Sequence, residues 1–124
     1  MATDHFPTKV VASIQKERML GIRAGTDHDF TGIWAVVVEN RVFVRSWDLS
    51  PRSWYRTFLE NPEGEIQTAG RTVKVRAKPT RSDRIKDLVS RAYKEKYNTP
   101  GSVQYVRGLA RPKRRETTTE LVPR

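Results

Sequence analysis

Two kinds of hydrophobic spacing alternate along the chain and predict helices and strands in turn. In "FPTKVVASIQKER", Val10, Val11 and Ile14 fall on one face of a helix, and Thr8 is suited to cap it. The next stretch, "MLGIRAGTDHDFTG", is rich in Gly, Thr and Asp. It predicts a loop with one short strand over residues 19–23.

Two β-hairpins are predicted from the apolar positions that follow. In "GIWAVVVENRVFVRSW" the first arm is continuously apolar, as in a strand buried on both faces, and the turn falls at Glu39–Asn40. In "EIQTAGRTVKVRAKP" the turn falls at Ala69–Gly70. The second arm of this hairpin alternates, with one apolar face formed by Val73, Val75 and Ala77.

Two more helices and two late strands complete the predicted elements. In "SPRSWYRTFLENP", Ser50 is suited to cap a helix, Pro51 to begin it and Asn61–Pro62 to end it. "SDRIKDLVSRAYKEKY" has the most regular helical spacing, behind a cap at Ser82 or Asp83. The segments "SVQYVRG" and "TTTELV" are predicted as strands on either side of a basic loop, "LARPKRRE".

These elements predict a mainly β, α+β fold in which residues 1–124 form a single domain. The hairpin connections are too short for the crossovers of a parallel sheet. About six strands with two or three short helices packed outside them make an antiparallel barrel. A chain of 124 residues is long enough to bury a core of this size.

The composition excludes several kinds of site and a membrane-spanning segment. The chain has no cysteine, which excludes disulfides, thiolate metal sites and cysteine nucleophiles. Its longest apolar run, "IWAVVV", is far too short to span a membrane, and no secretory signal is visible at the N-terminus. We therefore expect a cytoplasmic protein without a membrane partner. The isolated "TDHD" motif indicates a polar turn rather than a metal site.

The net charge of +10 is unevenly distributed. Residues 1–40 carry four basic and five acidic side chains, whereas residues 41–124 carry twenty basic and nine acidic ones. A positive field of this kind attracts nucleotides, phosphates, nucleic acid and acidic lipid surfaces alike. Weak, non-specific nucleic acid binding is therefore one expected property.

The stretch "RSWDLSPRSWYR" combines aromatic rings, arginines and serines where a strand is predicted to end and a helix to begin. The first turn of a helix leaves backbone N–H groups unpaired, and arginine can form bidentate hydrogen bonds to phosphate. A tryptophan beside them can cover a flat ring. The predicted cofactor-binding residues are Arg45, Ser46, Trp47, Ser50, Arg52 and Ser53. The alternative is that these groups only cap the helix, fill the core and face solvent.

Two other segments carry candidate binding residues. "RAYKEKY" places Lys96 and Tyr97 where they can reach a ligand, but ordinary burial preferences favour a helix packed by Tyr93 with a solvated lysine. The rival function is a basic β-barrel that binds nucleic acid, or another phosphate-bearing ligand without catalysis, through residues 71–78 and 111–115. No nucleophile elbow, Gly-rich phosphate loop or paired-histidine helix is present, so the catalytic residues remain unknown.

Several motifs occur in one order: "IWAVVVENRVFVRSW", "SWYR", "GEIQ", "RAYKEKY" and "TTTELVPR". Over about residues 19–124 the chain resembles an uncharacterised prokaryotic domain-of-unknown-function family. It departs from that pattern at Thr119, where the family usually has leucine. The final "LVPR" also coincides with a thrombin-cleavage remnant, but the resemblance favours native sequence.

The stretch "VRSWDLSPRSWYRTFLENPEGEIQ" is distantly similar to split β-barrel flavoproteins of the deazaflavin-dependent nitroreductase type. This resemblance implies a six-stranded split barrel that binds FMN or a deazaflavin, with phosphate held at the strand-to-helix junction. It also implies that Trp47 and Tyr97 lie near the ring and that two chains pair as a homodimer. If the protein is an enzyme, it is then an oxidoreductase whose cofactor supplies the chemistry.

Overall fold

The computed structural model describes residues 5–124, in which seven strands form one antiparallel sheet. Across the sheet the strands follow the order β2-β1-β5-β6-β7-β4-β3. The strands are β1 (Leu20–Ala24), β2 (Thr31–Ile33), β3 (Ala35–Val38), β4 (Arg41–Val44), β5 (Glu63–Thr68), β6 (Arg71–Pro79) and β7 (Thr119–Pro123). The predicted antiparallel barrel is confirmed in outline, but it has seven strands instead of six.

The two edge strands of the sheet are neighbours along the chain and are separated by a single residue. β2 ends at Ile33 and β3 begins at Ala35, so Trp34 alone joins the two edge strands. The sheet is therefore curled into a nearly closed barrel with its seam at Trp34. This residue also divides the long apolar arm into two strands, which the pattern of apolar residues did not reveal.

Within residues 5–124, five helices pack around the sheet, where two or three were predicted. They are α1 (Thr8–Lys16), α2 (Trp54–Glu60), α3 (Asp83–Lys96), α4 (Val103–Leu109) and α5 (Pro112–Arg115). The prediction of a strand in "SVQYVRG" was wrong, because this segment is α4. The basic loop that follows it contains the short helix α5.

Both predicted hairpin turns are confirmed. Glu39 and Asn40 have positive φ angles of 53° and 62°, and Ala69 and Gly70 have φ angles of 50° and 74°. Two consecutive positive φ angles give the backbone twist that joins adjacent antiparallel strands in two residues. The turns therefore fix the pairing of β3 with β4 and of β5 with β6.

The helix caps correct two details of the sequence analysis. Ser53, not Ser50, caps α2, because its hydroxyl accepts a hydrogen bond from the backbone N–H of Arg56. Thr8 is the first residue of α1 and gives no side-chain cap. The Ser82 cap of α3 is confirmed by its hydroxyl, which accepts a hydrogen bond from the N–H of Ile85.

The core has two parts. One fills the barrel interior and the space under α1 and α2, with Ile22, Val44 and Ile66 fully enclosed. The other lies between the β3–β4 hairpin and helices α3 and α4. Leu121 lies in β7, an inner strand between β6 and β4, and is 1% exposed, paired with Val42 and Ala77 on its two sides. The final "LVPR" is therefore an integral part of the sheet.

Within residues 5–124, the helices are all too short or too polar to cross a lipid bilayer.

Candidate functional site

A pocket of about 230 Å³ opens beside the barrel seam. It is formed by the segment before β1, by β2, by the chain that follows β4 and by α4. Its walls are apolar and aromatic apart from one guanidinium and the backbone. The lining residues are Met19, Gly32, Ile33, Trp34, Arg45, Trp47, Tyr105 and Leu109.

Three aromatic rings form a continuous wall of this pocket. Tyr105 lies between the two tryptophans, with its ring centroid 6.1 Å from that of Trp34 and 5.3 Å from that of Trp47. Both contacts are edge-to-face, a favourable arrangement for aromatic pairs. Trp47 and Tyr105 are each 45% exposed, so they present open ring surface at the mouth. Such a surface is suited to stacking against a flat ligand.

Arginine side chains lie on the rings at both ends of this wall. The guanidinium carbon of Arg114 is 4.0 Å from the ring centroid of Trp47, and its Nε donates to the Trp47 carbonyl at 2.9 Å. The guanidinium carbon of Arg18 is 5.2 Å from the ring centroid of Trp34. Cation–π contacts of this kind stabilise the rings, and the two guanidinium groups place positive charge beside the aromatic wall. In the part of the chain that the structure describes, no aspartate or glutamate lines the pocket.

Gly108 in α4 determines how closely Trp47 packs. A Cβ atom at this position would lie 2.5 Å from Cζ3 and 2.6 Å from Cη2 of the Trp47 ring. Real carbon contacts are not that short, so only glycine permits the ring to rest against the helix. The orientation of Trp47 thus depends on Gly108 on one side and Arg114 on the other.

Arg45 is a buried structural residue at the back of the pocket. It is 2% exposed, and its guanidinium donates to Ser90 Oγ and to Thr118 Oγ1 at 2.9 and 2.8 Å. It also donates to the carbonyls of Leu109 and Lys86 at 3.0 and 2.8 Å. Burial lowers the pKa of Arg45 to about 10, which still leaves it charged at neutral pH. Four of its five N–H donors are thus occupied by protein groups.

The other candidates between residues 46 and 53 form a compact loop. Ser46 is buried, and its N–H donates to Thr117 Oγ1 at 2.8 Å. The N–H of Ser50 donates to the Asp48 carboxylate, and Ser53 is buried as the α2 cap. Arg52 is exposed and forms no side-chain hydrogen bond or ion pair with residues 5–124. Of the six candidates in this stretch, only Arg45 and Trp47 line the pocket.

Tyr97 lies behind the pocket rather than in it. Its ring stacks on Trp34 with centroids 4.1 Å apart and planes 7° from parallel, and it is 1% exposed. Its hydroxyl accepts from the N–H of Ala35 and donates to the carbonyl of Arg18. Burial raises the pKa of Tyr97 to about 12, so this hydroxyl stays protonated. Tyr97 therefore supports Trp34 at the barrel seam.

Lys96 also closes the seam, instead of extending into solvent. Its ammonium group donates to the carbonyls of Ile14 and Ala35 at 2.8 and 2.7 Å. β3 is an edge strand, and these contacts satisfy a carbonyl that no neighbouring strand can reach. Burial lowers the pKa of Lys96 to about 8.

We expect Lys96 to make stability depend on pH. Between about pH 8 and pH 10.5 the folded chain releases this proton before the unfolded chain does. The unfolded state then binds more protons, so the free energy of unfolding contributed by Lys96 rises with pH across this window. Urea unfolding of wild type and Lys96→Met at several pH values measures the effect. A stability difference that stays constant from pH 7.5 to 10.5 contradicts it.

The residues that complete the pocket were not among the predicted site residues. Trp34 was assigned to a buried strand, and Tyr105 lay in the segment wrongly predicted as a strand. The spacing of Tyr105 with Leu109, and of Val103 with Val106, is helical and could have indicated α4. No local pattern pairs Arg18 with Trp34 or Arg114 with Trp47, because these contacts are made by the fold.

Comparison with known families supports the resemblance found in the motifs. The profile of a family described as "Uncharacterized protein conserved in bacteria (DUF2255)" matches residues 11–121. The chain belongs to this family. The DUF2255 match includes the aromatic pocket from Met19 to Arg114 and all seven strands in whole or in part. A search of curated proteins finds no match.

Among solved structures, the fold is similar to that of the conserved hypothetical protein Rv2991 from Mycobacterium tuberculosis. The two share 13% sequence identity with a TM-score of 0.59, and the alignment covers 100% of this chain and 85% of the other. At this identity the likeness concerns the fold alone.

Proposed function

We propose that the pocket binds the planar ring of a phosphate-bearing cofactor of the flavin type, FMN or a deazaflavin, and that the protein has a redox role. The observation that carries this proposal is the aromatic wall of Trp34, Tyr105 and Trp47 at the barrel seam. The distant similarity of the strand-to-helix stretch to split-barrel flavoproteins supports it. A bound flavin would supply hydride or electron transfer, while the chain binds and orients its ring.

The ring portion of such a cofactor fits the site better than its phosphate does. A pocket of about 230 Å³ is smaller than the roughly 300–1,000 Å³ of sites that enclose a whole ligand. The ring system would occupy it, and the phosphate would lie at the mouth. Arg18 and Arg114 carry positive charge to that mouth, whereas the N–H donors of Arg45 are largely occupied.

A second chain would complete this site. Met19, Trp47 and Tyr105 are large apolar side chains, each 45–48% exposed, grouped around one pocket. The resemblance to split-barrel flavoproteins implies homodimers, and pairing at this face would shield a bound ring from water. We therefore propose a homodimer with the pocket at its interface.

We expect FMN or a deazaflavin to bind with micromolar affinity and to quench tryptophan fluorescence. Trp47→Ala should weaken binding about tenfold, since stacking on an aromatic side chain contributes roughly 1–3 kcal/mol. Gly108→Ala should also weaken it, because the added Cβ displaces the Trp47 ring. Fluorescence and visible-absorption titrations of both variants measure these effects.

Leu59→Ala is the matched control, because Leu59 is 48% exposed on α2 and does not line the pocket. It should bind like wild type. If neither flavin binds the wild type at millimolar concentration, or if Trp47→Ala binds with unchanged affinity, the proposal is wrong.

One observation supports the rival function of nucleic acid binding. β6 presents a row of exposed cations on one face, formed by Lys74, Arg76 and Lys78, and Arg71 is exposed at the start of the strand. No exposed aromatic side chain lies within this strand, so base stacking would be absent. We expect weak, sequence-independent binding to DNA or RNA that falls steeply between 50 and 200 mM salt, by about tenfold or more. Tight binding that survives high salt and depends on base sequence would favour this function over flavin binding.

A further inference from the structure

A second concavity lies on the other side of α4 from the aromatic pocket. It is a groove of about 580 Å³ between α3 and α4, and we call it the α3–α4 groove. Each helix presents one face to it, with lining residues spaced three or four apart. The lining residues are Ser90, Arg91, Lys94, Tyr97, Asn98, Val103, Val106, Arg107 and Ala110.

The floor and the rim of this groove differ in chemistry. The floor is apolar and is formed by the side chains of Val103 and Val106, whereas Tyr97 borders the groove with only 1% of its surface exposed. Val103 is 37% exposed, which leaves apolar surface in contact with water. Burial of that surface by a ligand is favourable in proportion to its apolar area.

Three cations line the groove without a partner among residues 5–124. Arg91, Lys94 and Arg107 are exposed, and none forms an ion pair or side-chain hydrogen bond within that range. Nearby cations behave differently, since Arg115 binds Asp83 and Asp87 and Lys86 binds Glu116. None of the carboxylates between residues 5 and 124 lines the groove, so within that range these three charges are not neutralised there.

We infer that the α3–α4 groove is a second binding site, which takes a small amphipathic anion: an apolar chain or ring that carries one carboxylate or phosphate group. The apolar floor holds the chain, and the cations hold the acid. Grooves of this size with apolar walls and a few polar groups are typical ligand sites. The inference does not depend on flavin binding, because the aromatic pocket and this groove share no lining residue.

Isothermal titration calorimetry with octanoate and octyl phosphate tests the inference. Octanoate and octyl phosphate distinguish a carboxylate from a phosphate group. Inorganic phosphate tests the acid group without the chain, and 1-octanol tests the chain without the acid group. We expect at least one amphipathic probe to bind with a dissociation constant of about 1 mM or below. Inorganic phosphate and octanol should each bind at least about tenfold more weakly. No binding of either amphipathic probe, or equal binding of inorganic phosphate, overturns the inference.

Matched variants separate the groove from general surface charge. The triple variant Arg91→Gln, Lys94→Gln, Arg107→Gln should weaken probe binding by about tenfold or more, since each exposed charge contributes modestly. The control triple Arg71→Gln, Lys74→Gln, Lys78→Gln removes the same charge from β6 and should bind like wild type. Equal loss in both triples, or none in the groove triple, contradicts the assignment.

The apolar floor is tested in the same way. Val103→Ser should weaken octanoate or octyl phosphate binding about threefold while leaving inorganic phosphate unchanged. Leu59→Ser, an equally polar change at an exposed site on α2, should have no effect. Unchanged affinity in Val103→Ser shows that the chain does not lie on this floor.

Discussion

Replacing Arg45 with alanine is expected to destabilise the fold by about 3–5 kcal/mol, in the upper range of single substitutions. The guanidinium joins the chain after β4 to three other parts of the molecule: Lys86 and Ser90 on α3, Leu109 at the end of α4, and Thr118 before β7. Its removal leaves two carbonyls and two hydroxyls without this donor and opens a cavity. We expect a fall in melting temperature of roughly 10–20 °C.

Arg52→Ala is the matched control, since it removes the same group from an exposed position that makes no side-chain contact within residues 5–124. It should change stability by less than about 0.5 kcal/mol. Arg45→Lys keeps the charge but cannot form the same set of hydrogen bonds as the planar guanidinium. Its stability should therefore lie between those of wild type and Arg45→Ala. Equal stability of Arg45→Ala and Arg52→Ala would show that the buried hydrogen bonds contribute nothing.

This contrast shows what the sequence could and could not predict about the site. The two arginines lie seven residues apart in a stretch whose composition indicates anion binding, and the local pattern treats them alike. Their environments differ because α3, α4 and the chain before β7 converge on Arg45 alone. Those contacts join residues 41 to 73 positions apart, which no local pattern encodes.

Elements with strong local signals were predicted well. The hairpin turns at 39–40 and 69–70 and the capped helix α3 appear where the sequence indicated. α4 was missed because it is only seven residues long and contains valines, which also favour strands. The barrel seam was missed for another reason: Trp34 is apolar like its neighbours, and only closure of the sheet separates β2 from β3.

Replacing Gly64 with alanine is expected to lower the free energy of unfolding by about 3 kcal/mol or more, which is the upper end of the range for overpacked sites. Gly64 lies in β5 between β1 and β6, directly beneath α2. A Cβ atom there would collide with the backbone oxygen of Arg23 and lie 2.7 Å from Cε1 and Cζ of Phe58. Phe58 is 4% exposed, so its ring has no free space to move into.

The two collisions differ in how they can be relieved. Phe58→Leu in the Gly64→Ala background removes the ring contact but leaves the contact with the Arg23 oxygen, which belongs to the sheet itself. We therefore expect the second substitution to cost less in this background than in wild type, without restoring wild-type stability. Gly101→Ala is the control, because a Cβ there meets no atom within 4 Å. The free energies of unfolding in urea are measured for Gly64→Ala, Phe58→Leu, the double variant and Gly101→Ala. If Gly64→Ala is as stable as Gly101→Ala, α2 does not pack on β5 at this point.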